Sequence, residues 1–291
     1  MFRIVVLSLV MMVFCSPRSP AAEGGRQDET GRIVFAAKDG RIDGTSDRFS
    51  WDYRPTRWGM YDVSLTYANA GPAGAEVEVA FGEAKVAGTL ATTGSPERDA
   101  TVSLGRLYVA DTTPHALTVR CTDTVSAAVM ELKTVTLSPA CEGQPPIQAD
   151  DGSVTLHGRD ATVLGTSLRY EPAEQKQTLG FWTRPTDAAD WSFTVTRAAT
   201  FDVEVLQGCG PGQGGSVMTV AIDAGQPGTH MPLEFTVEAT GGFQDFRPRM
   251  IGRVGPLAAG QHTLRVTPKQ IAKQAACDIR QIRLVPVNPG R

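Results

Sequence analysis

The stretch TGGFQDF, Thr240 to Phe246, sets two glycines ahead of Phe243 and a second ring, Phe246, three residues on. Glycines in front of a large ring mark a turn rather than a packed element. A second aromatic pair, Phe181-Trp182, follows Gly180 and runs into the turn-like TRPTD, which leaves Trp182 as a candidate exposed ring. Arg247 and Arg249 bracket Pro248 beside the first stretch, where they can meet acidic groups or stay solvated. An aromatic face offers dispersion and a negative quadrupole to whatever approaches it.

Bond-making chemistry finds no comparable foothold. His115, His157, His230 and His262 are scattered, and no HExxH, nucleophile elbow or phosphate loop occurs. The acid pairs Asp39/Asp43 and Asp150/Asp151 fall in turn or linker composition, whereas a glycosidase needs two carboxylates at a defined separation across a cleft. Asp62 and Asp202 sit on polar-facing positions of strands. Cys121, Cys141, Cys209 and Cys277 form no CxxC and no His-containing zinc spacing. As thiols or disulfides they are structural, and four cysteines leave three pairings open. The chain is therefore expected to be non-catalytic, with no cofactor and no metal.

With 41% hydrophobic and 20% charged residues in 291, the composition is that of a globular protein of one large or two ordinary domains. The net charge of −3 and the lack of a basic run argue against a nucleic-acid partner. Residues 1–22 carry Arg3, an apolar run from Ile4 to Cys15 and the small pair Ala21-Ala22. That pattern is a cleaved secretory signal peptide, too short for a membrane span, and implies a secreted or periplasmic protein. Phe14 is bulky where a lipid anchor at Cys15 wants a small residue. Loss of Arg3 and Arg18 takes the mature charge from −3 to −5.

These residues are carried by two copies of one unit. FSWDYRPTRWGMYDVSLTY, from Phe49, lies over ADWSFTVTRAATFDVEVLQ, from Ala189, so that Trp51 matches Trp191 and Tyr61-Asp62-Val63 matches Phe201-Asp202-Val203. Gly71-Pro72 matches Gly210-Pro211. MYDVSLTY, EVEVAF, FDVEVL and MTVAI alternate with period two, and glycine- and proline-rich turns separate them. The expected fold is all-β, two tandem β-sandwiches at 31–139 and 152–287, with 140–151 as a linker. Strand order stays open, a jelly roll being one choice. Trp51 and Trp191 are expected in the cores, and Phe246 is expected to point inward.

The second copy resembles the family-six and family-thirty-five carbohydrate-binding modules, which are galactose-binding-like jelly rolls. LGFWTRPTDAADWSFTV, FDVEV and TGGFQDF carry the resemblance, over about half of the chain. The closer likeness is to domains appended to secreted bacterial sulfatases and glycosidases, through GCGPGQGGS and DIRQIRLVP. What the resemblance implies is a polysaccharide or glycan ligand and a secreted hydrolase as a partner. Gly180-Phe181 falls on the family's Gly-Tyr pair and Phe243 on its loop tryptophan, so Phe243 would form one wall of a sugar slot and Phe181 or Trp182 the other. Glycines beside a ring keep neighbouring side chains from blocking it. Where the family holds a structural calcium, this chain has His157 and Arg280, with Asp278 offset by two, so no calcium is expected there. The first copy has Ser95 in place of Phe243 and lacks the segment matching YEPAEQKQTLGFWTRPTD, which implies a structural or protein-contact role. The competing function is a structural or adaptor protein that uses its sandwich faces to contact a partner.

Overall fold

The computed structural model describes residues 24–42, 48–121, 130–225 and 231–287; the expected signal peptide lies outside the described residues. Among the described residues the regular structure is all strand apart from two single 3-10 turns, Ala37–Asp39 and Gly158–Asp160. The first half runs β1 (Gly25–Gln27), β2 (Ile33–Ala36), β3 (Arg41–Ile42), β4 (Arg48–Tyr53) and β5 (Gly59–Asn69). It continues with β6 (Ala75–Phe81), β7 (Ala84–Leu90), β8 (Ala100–Val109), β9 (His115–Cys121) and β10 (Met130–Pro139). The second half runs β11 (Val154–His157), β12 (Thr162–Leu164), β13 (Arg169–Glu171), β14 (Thr178–Gly180), β15 (Ala188–Val195) and β16 (Ala199–Cys209). It closes with β17 (Val217–Ile222), β18 (Leu233–Thr236), β19 (Gly242–Leu257), β20 (Gly260–Gln270) and β21 (Asp278–Pro286).

The order that pattern alone left open repeats in both halves. In the first, β1-β2-β10-β5-β8 faces β3-β4-β9-β6-β7; in the second, β13-β14-β21-β16-β19, with β11 also on β21, faces β12-β15-β20-β17-β18. Every ladder between these strands is antiparallel, which lets one face pack and the other meet water. The period-two stretches supply the packed faces: Tyr61, Val63 and Leu65 in β5 and Phe201, Val203 and Val205 in β16 are fully buried. Each half has its own cluster of buried apolar side chains, one from Ile33 to Leu137 and one from Val154 to Leu284.

Trp51 and Trp191 are the buried anchors their positions suggested, and they are used alike. The Trp51 indole donates to Ala36 O (3.0 Å) and the Trp191 indole to His157 O (2.7 Å), in each case at the end of the strand leading into the 3-10 turn. A buried indole N–H needs such a partner. Asp62 and Asp202, the matched acids, each pair across the ladder with an arginine, Arg106 at 3.0 Å and Arg253 at 2.7 Å. Among the described residues Cys141, Cys209 and Cys277 are free thiols.

The proline-rich junction is not a loose spacer. Gln148 is buried, and its side-chain oxygen accepts hydrogen bonds from Thr196 N, Thr196 Oγ1 and Arg197 N at 2.8–3.0 Å. Ile147 makes a parallel bridge with Thr194. Prolines and glycines cannot show from composition alone that Ile147 and Gln148 tie the segment to a strand end.

Candidate functional site

The predicted rings gather at one end of the sheet β13-β14-β21-β16-β19. Leu179 pairs with Ile279, Gly208 with Asp278 and Cys209 with Gly242, which puts the ends of β14, β21, β16 and the start of β19 at one level. Phe181 leaves β14 there and Phe243 enters β19. Three strand spacings separate these strands, about 14 Å across the sheet. Contact with both faces of one sugar needs only about 8 Å between rings. Phe181 and Phe243 are thus two ring positions on one sheet end, with the Phe243 loop lying down over Gly208 of β16.

Phe181 has φ +63°, a left-handed conformation that a bulky residue adopts at a cost of about 1–3 kcal/mol. The turn it makes, with Thr183 N donating to Phe181 O at 2.8 Å, leaves the ring outside with 42% of the residue exposed. The same reversal drives Trp182 inward. Trp182 is fully buried in the core of the second sandwich, its indole donates to Asp187 O at 3.1 Å and its carbonyl accepts from Ala276 N at 2.9 Å. This corrects the expectation that Trp182 is an exposed wall of a binding slot. Asp187, itself fully buried, fixes the turn by accepting from Leu168 N (2.7 Å) and Thr166 N (3.2 Å).

Phe243 is half-buried. Its ring lies against Gly210, where a Cβ would come within 2.9 Å of the ring, and its carbonyl crowds Gly208, where a Cβ would come within 2.1 Å. These two glycines let the loop close down, and Gly241 of TGGFQDF, at φ +111°, lets it turn. Thr240 Oγ1 clips the loop by accepting from Cys209 N (2.9 Å) and donating to Gly242 O (3.1 Å). Phe246 does not point into the core as expected. The β16–β19 register jumps between Gln207/Arg247 and Cys209/Gly242, so alternation is lost through the loop, and the Phe246 ring carries the Arg280 guanidinium at 3.9 Å. Arg280 also donates to Lys176 O (2.9 Å) and Gln175 O (2.7 Å), which holds the 172–177 loop over the sheet. Arg247 is exposed and paired with Asp245 at 3.0 Å, and Arg249 is paired with Glu238.

Between the ring positions lies a buried acid pair that sequence reasoning missed. Glu171 and Asp278 are both buried and both face Gly180, where a Cβ would meet Glu171 Oε2 at 2.5 Å and Asp278 Oδ1 at 3.2 Å. Lys176 donates to Glu171 Oε1 at 2.5 Å. Burial first, and the Glu171 charge second, push the Asp278 carboxyl up to about 8. Below the ordinary carboxylate range Asp278 is protonated folded or unfolded, and no cost arises. As pH rises toward 8 the unfolded chain gives up this proton while the folded chain keeps it, so stability falls. Asp278→Asn should therefore raise the melting temperature more at pH 8 than at pH 4, as read by a pH series of thermal melts; an equal shift at both would show that Asp278 is ionised in the fold. Among the described residues no three His, Cys, Asp or Glu groups gather as a metal site.

The other partners of Phe181 come from across the chain. The Trp58 ring, from the first sandwich, meets Phe181 edge-on at 5.7 Å, and the Arg169 guanidinium lies 4.3 Å from Trp58 and 4.1 Å from Phe181. Trp58 was the one tryptophan of the mature chain with no expected role. No local signal marks it, because its partner lies more than a hundred residues away.

No protein-family model matches the chain, and no characterised sequence relative does. Solved structures do. The protein is similar to the family-six carbohydrate-binding module of Cellvibrio mixtus lichenase 5A in complex with cellotriose, at 17% identity and TM-score 0.36, over 46% of this chain and 97% of that one. It is similar to the family-thirty-five module of Cellvibrio japonicus Abf62, at 12% identity and TM-score 0.37, over 47% and 94%. It is also similar to a Podospora anserina mannanase that carries a family-thirty-five module, at 20% identity and TM-score 0.38, over 48% of this chain and 29% of that one. The chain thus spans less than a third of that enzyme's length. The likeness to carbohydrate-binding modules is the one that the second copy's motifs implied.

Proposed function

We propose that the protein is an exported, non-catalytic glycan-binding protein whose second sandwich carries the binding edge, with Phe181 and Phe243 contacting different sugar units of one chain. The observation that carries this is Phe181: a bulky residue held at φ +63° with 42% of it exposed while its neighbour is buried. A strained backbone whose product is an exposed ring points to a contact role. Phe243 presents a second ring at the same sheet end, and Arg247 stands at the rim of that loop. A role beside a secreted hydrolase belongs to the same proposal.

Phe243→Ala is expected to weaken glycan binding by about 1–3 kcal/mol, the range for losing an aromatic anchor. The melting temperature should hardly move, because the ring rests on Gly210 and not in the core. A glycan array on the mature protein, followed by calorimetry on any glycan found, checks both. An array with no bound glycan, together with a large drop in melting temperature for Phe243→Ala, would leave the second sandwich an adaptor. The adaptor alternative is supported by the contact of Phe181 with Trp58, in which this ring packs against protein of the same chain.

A further inference from the structure

We propose that the seam between the two sandwiches is a subsite for an anionic sugar unit, in which Trp58 and Phe181 offer ring surface and Arg169 between them takes the carboxylate or sulfate. It rests on the glycan-binding function proposed above and names the chemistry of one unit of that ligand.

The seam is built and positively charged. Arg57, only 2% exposed, reaches from the first sandwich into the second, donating from Nε to Gly165 O (3.1 Å) and from Nη2 to Val163 O (2.9 Å). Its neighbours there are carbonyls, which leave the charge uncompensated. Arg169 follows on the outer side, half-buried. Its Nε donates to Ser167 O (3.0 Å), and among the described residues its terminal nitrogens have no hydrogen-bond or ion-pair partner. The two nearby carboxylates are committed elsewhere, Asp187 to backbone N–H groups and Glu171 to Lys176. Burial, and then the Arg57 charge, act against the Arg169 cation. An arriving oxyanion relieves that, and a guanidinium with free terminal N–H groups suits carboxylate or sulfate bidentately.

The surrounding groups match the rest of a sugar. Phe181 presents exposed ring, and Trp58, whose Nε1 is tied to Tyr170 O at 2.9 Å, is fixed in orientation. Thr183 Oγ1 and Ser167 Oγ, 2.9 Å apart at the rim, are hydroxyls able to exchange partners with sugar hydroxyls. The Arg169–aromatic stack alone would also serve as glue between the sandwiches, so the test must separate anion binding from adhesion.

Calorimetry on the mature chain at low salt, with a galacturonate oligomer, its neutral methyl ester and a sulfated galactan oligomer as probes, makes the separation. Wild type should bind one or both acidic probes at least about tenfold more tightly than the methyl ester, the lower end for a hydrogen-bonded charge. Preference for the galacturonate or for the sulfated oligomer identifies the oxyanion. Arg169→Gln should remove the preference, so that the acidic probes and the methyl ester bind alike, while Phe243→Ala should weaken acidic and neutral probes and keep the preference between them. Trp58→Leu keeps the seam filled, should weaken the acidic probe, and serves if Arg169→Gln does not fold. Neutral glycans that bind with no acidic preference, or a preference that survives Arg169→Gln, would overturn the subsite and leave the glycan-binding function standing. Absence of binding to every glycan would overturn both.

Discussion

Trp182→Ala is expected to destabilise the protein by about 3–5 kcal/mol, the cost of emptying a large aromatic site in a packed core. The ring is fully buried among the second cluster, and its indole satisfies the carbonyl of Asp187. The loss is larger than a cavity alone implies, because the Asp187 carbonyl is left without its donor. For a sandwich of this size the shift in melting temperature should be about 10 °C or more. Thermal unfolding followed by circular dichroism checks it. A variant that melts like wild type but loses glycan affinity would return Trp182 to the surface as a binding ring.

Arg57→Ala should uncouple the two sandwiches. The side chain holds two carbonyls of the second sandwich, Gly165 and Val163, and lies 5.0 Å over the Tyr61 ring of the first. Removing it leaves both carbonyls without a donor, at about 1–3 kcal/mol each where water cannot reach them. Gly165 N to Thr30 O, at 2.8 Å, is the backbone contact that remains beside it. Since each sandwich has its own buried cluster, both should stay folded. Scanning calorimetry should then resolve two transitions where wild type shows one. A single sharp transition in Arg57→Ala would mean that the coupling lies elsewhere, with the contacts of Trp58 to Tyr170 O and to the Phe181 ring as the next place to look.

Period two in MYDVSLTY and FDVEV is a local property, and it put Tyr61, Val63, Phe201 and Val203 on the packed face before any fold was known. The repeat of Trp51 in Trp191 likewise carried its own explanation, since equal positions in equal sandwiches meet equal surroundings, down to the carbonyl each indole finds. The aromatics at the sheet end were a different matter. Phe181 and Trp182 are adjacent and similar in hydropathy, and nothing in their order says which one turns in. The buried Asp187 and the ladder of β14 with β21 decide it, through the sign of one φ angle. Phe246 was misplaced for a related reason: a register jump cancels the alternation on which its inward direction depended.

What the sequence determined by itself, then, is the class of fold, its doubling, and the indole anchors, because each follows from patterns within a few residues or from comparing one half with the other. What only the tertiary structure decided is everything that depends on distant chain meeting: the burial of Glu171 beside Asp278, the insertion of Arg57, and the meeting of Trp58 with Phe181. Those contacts join residues about a hundred or more apart, and their energies come from desolvation and from partners that no local pattern encodes.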